Sequence, residues 1–145
     1  MSNLENVTED LLALLGYIRD TFFRPAEQIT RSRISHAQFH AISILAHKGS
    51  LSMSELANEM KISKQQLTPL IGKLIDSNMV VRKPEEMDRR ILRIEITEPG
   101  RDTLEEVKAE VKQAIKEKLS ILSNSDLKDL DHLLTQTREL LQSIK

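Results

Sequence analysis

Apolar residues recur every three or four positions along most of the chain, which is the spacing that places side chains on one face of an α-helix. The first such run extends over residues 4–23, and Pro25 is expected to break or kink this helix because it has no amide hydrogen to donate. Three further helices are expected to begin at capping boxes, in which a serine is followed three residues later by glutamine or glutamate. These pairs are Ser35–Gln38, Ser52–Glu55 and Ser63–Gln66. The expected ends of the three helices are Gly49, Met60 and Asn78.

After Asn78 the apolar period changes to two, which indicates β-structure. Residues 79–83 predict a short strand that Pro84 prevents from continuing. Apolar and polar residues then alternate over 91–96, which predicts a half-buried return strand. We therefore expect a β-hairpin over residues 79–97, with its tip at 84–90.

Two long helices are expected to complete the chain. Thr97 caps the first of them, with Pro99 tolerated in the opening turn, and Ser123 together with Asp126 caps the second. The last helix carries seven large aliphatic residues: Leu127, Leu130, Leu133, Leu134, Leu140, Leu141 and Ile144. Two antiparallel helices cannot cover these residues and also the apolar face of the first helix, so we expect the chain to dimerise.

The order of elements in the middle of the chain predicts the fold class. A short helix, a three-residue turn, an amphipathic helix and a hairpin form a winged helix-turn-helix. We expect a single, mainly α domain over 1–145, in which the β-hairpin is the wing. The winged helix-turn-helix core would span about 36–97, and dimerisation helices would span about 3–31 and 98–144.

Charge is distributed unevenly along the chain. The formal net charge is −1, yet the segment from Lys61 to Arg93 holds eight basic and four acidic side chains, a surplus of four positive charges. The rest of the chain is therefore acidic. A basic segment in an acidic body favours a localised surface that binds a polyanion, although a charge run by itself is usually only a solvated face.

Composition excludes several classes of protein. The chain has no cysteine, which rules out disulfides, thiol catalysis and cysteine-ligated zinc. It lacks an apolar run long enough to cross a bilayer and a signal-peptide pattern, so we expect a cytoplasmic protein without membrane contact. Catalytic and phosphate-binding motifs are also missing, so we expect neither an enzyme nor a cofactor.

The second helix of the predicted helix-turn-helix, residues 64–77, should enter the major groove of double-stranded DNA. Its apolar stripe is centred near Leu67 and Leu74, and its polar residues lie on the other sides. Glutamine suits the edge of adenine, threonine can meet a thymine methyl group or a phosphate, and lysine binds phosphate. The candidate contacts are Lys64, Gln65, Gln66, Thr68, Pro69 and Lys73.

The hairpin tip presents Asp88, Arg89 and Arg90 in succession. A guanidinium group is attracted to the minor groove by its negative potential, so one arginine can insert while the other binds phosphate. DNA repels a carboxylate, and Asp88 is therefore expected to orient an arginine through paired hydrogen bonds. Arg82 and Lys83 are further candidate contacts on the wing. The alternative is that this tripeptide simply solubilises a turn.

The run from Leu51 to Gly100 resembles the DNA-binding core of the MarR family of bacterial transcription regulators. The pattern that carries the resemblance is Asp-x-Arg at 88–90, followed by a strand ending in Ile-Thr-x-x-Gly at 96–100. The resemblance implies a homodimer, a pseudo-palindromic operator and a repressor whose DNA affinity falls when a small phenolic or anionic ligand binds. The stretch QQLTPLIGKL is similar to the organic-peroxide-sensing branch, but this chain lacks the reactive cysteine of that branch, so the signal stays open.

Aromatic and histidine side chains in the N-terminal third are candidates for a ligand crevice. Apolar side chains with a few polar anchors suit a small aromatic acid, although packing in a dimer interface explains them equally well. The candidates are Tyr17, Phe22, Phe23, His36 and His40. His36 and His40 could also reach one metal ion, but such stripes more often line a surface, and we expect no metal site.

A different class of function fits part of the same pattern. The chain could be a helical homodimeric module that binds protein and not specific DNA. The basic segment 61–93 argues against that alternative, because a protein-binding module does not need a cationic hairpin beside an amphipathic helix.

Overall fold

The computed structural model describes residues 2–144, which form seven α-helices and three short strands. In chain order these are α1 (Asn3–Ile18), α2 (Arg24–Thr30), α3 (His36–Lys48), β1 (Leu51–Ser52), α4 (Met53–Met60), α5 (Lys64–Asp76), β2 (Val80–Pro84), β3 (Leu92–Ile96), α6 (Glu98–Leu119) and α7 (Asn124–Leu141). A π-helical segment, Arg19–Phe23, joins α1 to α2. The fold is the expected one, mainly α with a small antiparallel sheet.

Local side-chain caps start the helices as expected. At α3 the amide of Gln38 donates to the Ser35 hydroxyl at 3.1 Å, and the Ser35 amide donates to the Gln38 side chain at 2.8 Å. The same reciprocal pairs open α4 and α5, so all three predicted capping boxes are confirmed. A fourth box, Ser2 with Glu5, opens α1 and is absent from the sequence prediction.

Pro25 does not interrupt the helical path. The π-helical segment lies directly before it, and the amide of Arg24 donates to the carbonyl oxygen of Arg19, five residues back. A π turn holds one residue more than an α turn, so the chain passes the proline with a local widening instead of a break. The extra residue also rotates every later side chain relative to the face predicted from a continuous helix.

The sheet has three strands in the order β1-β3-β2, one more than the predicted hairpin. Leu51 and Ser52 pair with Ile94 and Arg93. This two-residue strand is too short to produce an alternating pattern in the sequence. β2 is the other edge strand and ends at Pro84, where the missing amide hydrogen breaks no interior ladder bond.

The core is formed by residues between Ile34 and Val107, where α3, α4, α5, β3 and α6 meet. The largest fully buried side chains are Ile42, Leu45, Leu56, Leu67, Ile71, Leu74, Ile94 and Leu104. In contrast, no residue of α1 or α7 is buried. Each helix exposes large apolar side chains that include Leu4, Leu12, Leu15, Leu133, Leu134 and Leu140. The single chain therefore leaves two apolar helix faces uncovered, as the expectation of a dimer requires.

The junction of the hairpin with α6 explains the Ile-Thr-x-x-Gly pattern. The Thr97 hydroxyl donates to the carbonyl oxygen of Asn78 at 2.6 Å and accepts the amide of Gly100 at 3.0 Å. A Cβ on Gly100 would lie 2.1 Å from the carbonyl oxygen of Met79. Because a backbone atom cannot move aside cheaply, only glycine lets α6 approach the start of the wing this closely.

We expect Gly100→Ala to lower the free energy of unfolding by about 1–3 kcal/mol, the range typical of overpacking. Urea denaturation at matched protein concentration measures the change. Gly72→Ala is the control, because a Cβ there meets nothing within 4 Å and alanine is the better helix former. Equal urea midpoints for the two variants would contradict the packing explanation.

Candidate nucleic-acid interface

Helix α5 buries one face and exposes the other. Leu67, Ile71 and Leu74 are completely buried in the core, which fixes the rotation of the helix about its axis. The six residues predicted to contact DNA are all exposed: Lys64, Gln65, Gln66, Thr68, Pro69 and Lys73. The polar side chains are thus presented together on the side of α5 that does not pack.

The two glutamines at the start of α5 are not equivalent. The side-chain oxygen of Gln66 accepts the amide of Ser63 at 3.0 Å, so it belongs to the capping box. Bidentate recognition of adenine needs both the oxygen and the amide group of a glutamine side chain. The Gln66 side-chain oxygen is therefore engaged in the capping box that the sequence predicted, whereas the Gln65 side chain is exposed on the unpacked side of α5.

Thr68 and Pro69 occupy the next turn. The Thr68 hydroxyl donates to the Lys64 carbonyl oxygen at 2.8 Å, so its methyl group and its oxygen lone pairs remain for a ligand. Pro69 cannot donate to the carbonyl of Gln65, which lies four residues before it inside the helix. Both residues are exposed, so this gap in the hydrogen-bond ladder faces outward and not into the core.

The turn before α5 sets its angle to α4. Lys61 adopts the left-handed conformation with φ of 56°, and the amide of Ile62 donates to the carbonyl of Ala57 at 3.1 Å. This is the bonding pattern that ends a helix sharply. Ser63 then caps α5 at once, so the amides of Lys61, Ile62 and Ser63 all donate hydrogen bonds, which favours a fixed angle between the two helices.

Asp88 holds Arg90 at the wing tip. The guanidinium donates to the two carboxylate oxygens of Asp88 from Nε at 3.0 Å and from Nη2 at 3.1 Å, and the Arg90 amide donates to the same carboxylate at 3.1 Å. These bonds lower the pKa of Asp88, with the side-chain bond from Arg90 the larger cause, and raise the pKa of Arg90. The Arg90 side chain is still 90% exposed, so it is oriented and available to a ligand.

Other cations of the basic segment are less free than the sequence suggests. Lys83 reaches the carboxylate of Glu95 at 3.0 Å across the hairpin, which weakens its prediction as a DNA contact. Arg93 donates to the Ser50 carbonyl at 2.8 Å and to Glu55 at 3.0 Å, and so ties β3 to the start of α4. Arg82 and Arg89, both predicted contacts, are exposed. These ion pairs join residues distant in sequence, and no local pattern could have revealed them.

A cavity of about 630 Å³ lies between the N-terminal helices and α6. Its apolar lining comes from Phe23, Ala26, Phe39, Val107, Val111 and Ile115. The polar lining comes from Arg19, Glu27, His36, Lys108 and Lys112, a surplus of two positive charges with histidine neutral. An anion with an apolar body matches this combination of lining groups.

The cavity contains only some of the residues predicted for a ligand crevice. Phe23 and His36 line it, whereas Tyr17, Phe22 and His40 lie outside its lining. Arg19 and Phe23, at the two ends of the π-helical segment, both line the cavity. Tyr17 is 63% exposed on the uncovered face of α1. His36 lies 3.4 Å from Glu27, and within residues 2–144 no group of three potential metal ligands occurs.

Arg33 connects the N-terminal region to α6. Its guanidinium donates to the carboxylates of Glu106 and Glu110, which are one helical turn apart. These bonds raise the pKa of Arg33, with the Glu106 bond the largest cause. Glu106 and Glu110 belong to the same helix as the cavity-lining residues Val107 and Val111. This interaction was not predicted from the sequence.

Comparison with known proteins points to one family. The family model for the MarR family matches residues 34–92. The transcriptional regulator FarR of Neisseria gonorrhoeae is 32% identical over 126 residues, which are 85% of this chain and 85% of that protein. The transcriptional repressor MdtR of Bacillus subtilis is 27% identical over 107 residues, which are 74% of this chain and 69% of the repressor.

The fold agrees with this assignment. A MarR family protein from Bacillus stearothermophilus superposes with a TM-score of 0.77 at 24% identity, over 98% of this chain and 99% of that one. A match of this kind supports the architecture. Together with the extent and identity of the FarR match, it shows that this chain belongs to the MarR family of winged helix-turn-helix transcription regulators.

Proposed function

We propose that this protein is a homodimeric repressor that binds a pseudo-palindromic operator and releases it when a small anionic ligand binds. Helix α5 of each protomer occupies the major groove, and the wing tip reaches the adjacent minor groove. The observation that carries this assignment is the wing tip, where Asp88 fixes an almost fully exposed Arg90. A solvated turn does not need its arginine oriented, but insertion into a groove does.

The uncovered faces of α1 and α7 support a homodimer. Both helices lack buried residues and expose large aliphatic side chains, so a second copy would remove this apolar surface from water. Two-fold symmetry then presents two copies of α5 to one face of a duplex. Half-sites on the operator are expected to be related by the same two-fold axis.

The cavity supports a ligand-controlled repressor. It is bounded by α3 of the DNA-binding core and by α6. Helix α6 leads directly into α7, which has no buried residue. A ligand that fits only one arrangement of these helices would shift the spacing of the two α5 helices and lower the affinity for the operator. The lining suits an aromatic carboxylate, because Arg19, Lys108 and Lys112 line an apolar cavity with a single glutamate. Arg19 also lies 3.3 Å from Asp20 and Lys108 3.6 Å from Glu105, which leaves Lys112 as the main candidate for binding the carboxylate.

A regulator of this kind acts where the chromosome is, so we place it in the cytoplasm. No helix within residues 2–144 is long and apolar enough to cross a membrane. The match is to a family of transcription regulators and not to a family of enzymes, which supports a role without catalysis.

The purified protein should bind the DNA upstream of its own gene more tightly than a scrambled duplex, with two protomers per site. Fluorescence anisotropy at two salt concentrations measures both the preference and the electrostatic share of binding. Aromatic carboxylates added in the same assay should reduce binding, and a carboxylate that changes neither binding nor thermal stability would count against the cavity. Absence of DNA binding even at low salt would favour a protein-interaction module instead.

Arg90→Ala and Asp88→Asn should weaken operator binding in different ways. Removing the Arg90 charge should lower the slope of log K against log[salt] by about 1 for each phosphate that the side chain no longer neutralises. Asp88→Asn keeps the arginine charge and removes its orientation, so the affinity should fall on specific DNA with little change in slope. Lys116→Ala, an exposed cation on α6, is the control.

The lowered pKa of Asp88 sets the pH range of this effect. The Asp88 carboxylate stays charged at neutral pH. Its hydrogen bonds with Arg90 are lost only as the pH falls through the lowered pKa of Asp88. The difference between the parent and Asp88→Asn should therefore be constant near neutral pH and should disappear in acid. Identical binding by the two proteins at neutral pH would sink the orienting role.

Gln65→Ala and Gln66→Ala should separate base recognition from helix capping. The first change should relax sequence preference, at about 1–3 kcal/mol for each bidentate pair removed, without lowering stability. Gln66→Ala removes half of the capping box and should lower the free energy of unfolding by about 1 kcal/mol. Competition binding on specific and random DNA, together with urea denaturation, distinguishes the two; an equal loss on both DNAs for Gln65→Ala would refute base recognition.

A further inference from the structure

The wing tip exposes an apolar side chain where a solvated turn needs none. Met87 is 94% exposed, whereas Met53, Met60 and Met79 are buried or half-buried against the core. A single exposed apolar residue is common on protein surfaces and by itself means little. Met87, however, directly precedes Asp88, the residue that holds Arg90 at the wing tip.

Met87 lies in the loop between β2 and β3, whose backbone is closed by hydrogen bonds on either side of it. The amide of Glu85 donates to the Ile91 carbonyl at 2.8 Å, and the amide of Ile91 donates to the Asp88 carbonyl at 3.0 Å. Asp88 also accepts the amide of Arg90, so the second half of the loop is closed by its own side chain. The methionine directly precedes this fixed segment, and its side chain is free in solvent.

We propose that Met87 is an apolar wedge that enters the minor groove beside Arg90 and presses against the base pairs, widening or bending the duplex. The proposal rests on the proposed function, since it requires the wing to reach the groove. Apolar side chains inserted from the minor groove partly unstack base steps and kink DNA. Methionine suits this role because its thioether is unbranched, flexible and polarisable.

The contribution of Met87 to DNA affinity can be measured separately from that of the charged residues around it. Glu86 is exposed beside it and is repelled by phosphate, so attraction at the tip comes from Arg89 and Arg90. A neutral thioether adds affinity only by leaving water and contacting the bases. Its contribution should therefore be the same at every salt concentration, unlike that of the arginines.

The test compares Met87→Gln, which has similar size but is polar, with Met87→Leu, which stays apolar. Both full-length proteins are titrated onto the preferred upstream duplex at several salt concentrations, and energy transfer between dyes at the duplex ends reports bending. Met87→Gln should bind about tenfold more weakly at every salt concentration and bend the DNA less. Met87→Leu should stay within about twofold of the parent in affinity and retain the bend.

Glu86→Gln is the matched control at the neighbouring tip position. It changes the charge beside the wedge and keeps the methionine, so the bend should stay that of the parent. If Met87→Gln binds and bends the duplex like the parent, the wedge is wrong although the regulator stands. Equal weakening by glutamine and leucine with an unchanged bend would also overturn the wedge. A parent protein that binds no DNA would instead overturn the proposed function itself.

Discussion

The burial of one face of α5 is the constraint on which the DNA-binding surface depends. Leu67, Ile71 and Leu74 are completely inaccessible, and a rotation of α5 by one residue, about 100°, would expose them. Their burial therefore fixes the outward direction of Gln65 and Lys73 without any contact to those polar side chains. The hairpin packs on the same core through Val80 and Ile94, so one apolar cluster positions both the recognition helix and the wing.

Positioning, and not net charge, distinguishes this surface. Half of the surplus of four positive charges in the basic segment is balanced by acidic residues outside it, since Lys83 pairs with Glu95 and Arg93 with Glu55. Exposed ion pairs contribute little to stability, but they decide which cations stay free for a polyanion. Arg90 is both paired and exposed, because Asp88 orients it while most of its side-chain surface remains in water. A weakly acidic chain can thus present a few well-placed cations instead of a broadly basic face.

Features set by local sequence were predictable, and features set by distant contacts were not. The capping boxes and the apolar face of α5 follow from residues within one or two turns, and the structure has them as expected. Strand β1 is two residues long and exists because β3 offers it an edge. The π turn before Pro25 also follows from no local apolar pattern, and of the aromatic residues predicted for the crevice only Phe23 lines the cavity. The ion pairs of Arg33 and Arg93 join residues far apart in sequence, so no periodic pattern in the sequence predicts them.

Helix α6 packs against both the DNA-binding core and the N-terminal helices. Its first turns enter the core through Leu104 and Val107, and Gly100 lets it start directly against the wing. One side of its middle section lines the cavity, while Glu106 and Glu110 hold Arg33 at the start of the DNA-binding core. A change in the tilt of α6 would therefore displace the wing, the cavity lining and the uncovered helix faces together. In the proposed repressor a ligand would need to favour only one such tilt to alter the spacing of the two α5 helices, because rigidly packed elements transmit a small displacement.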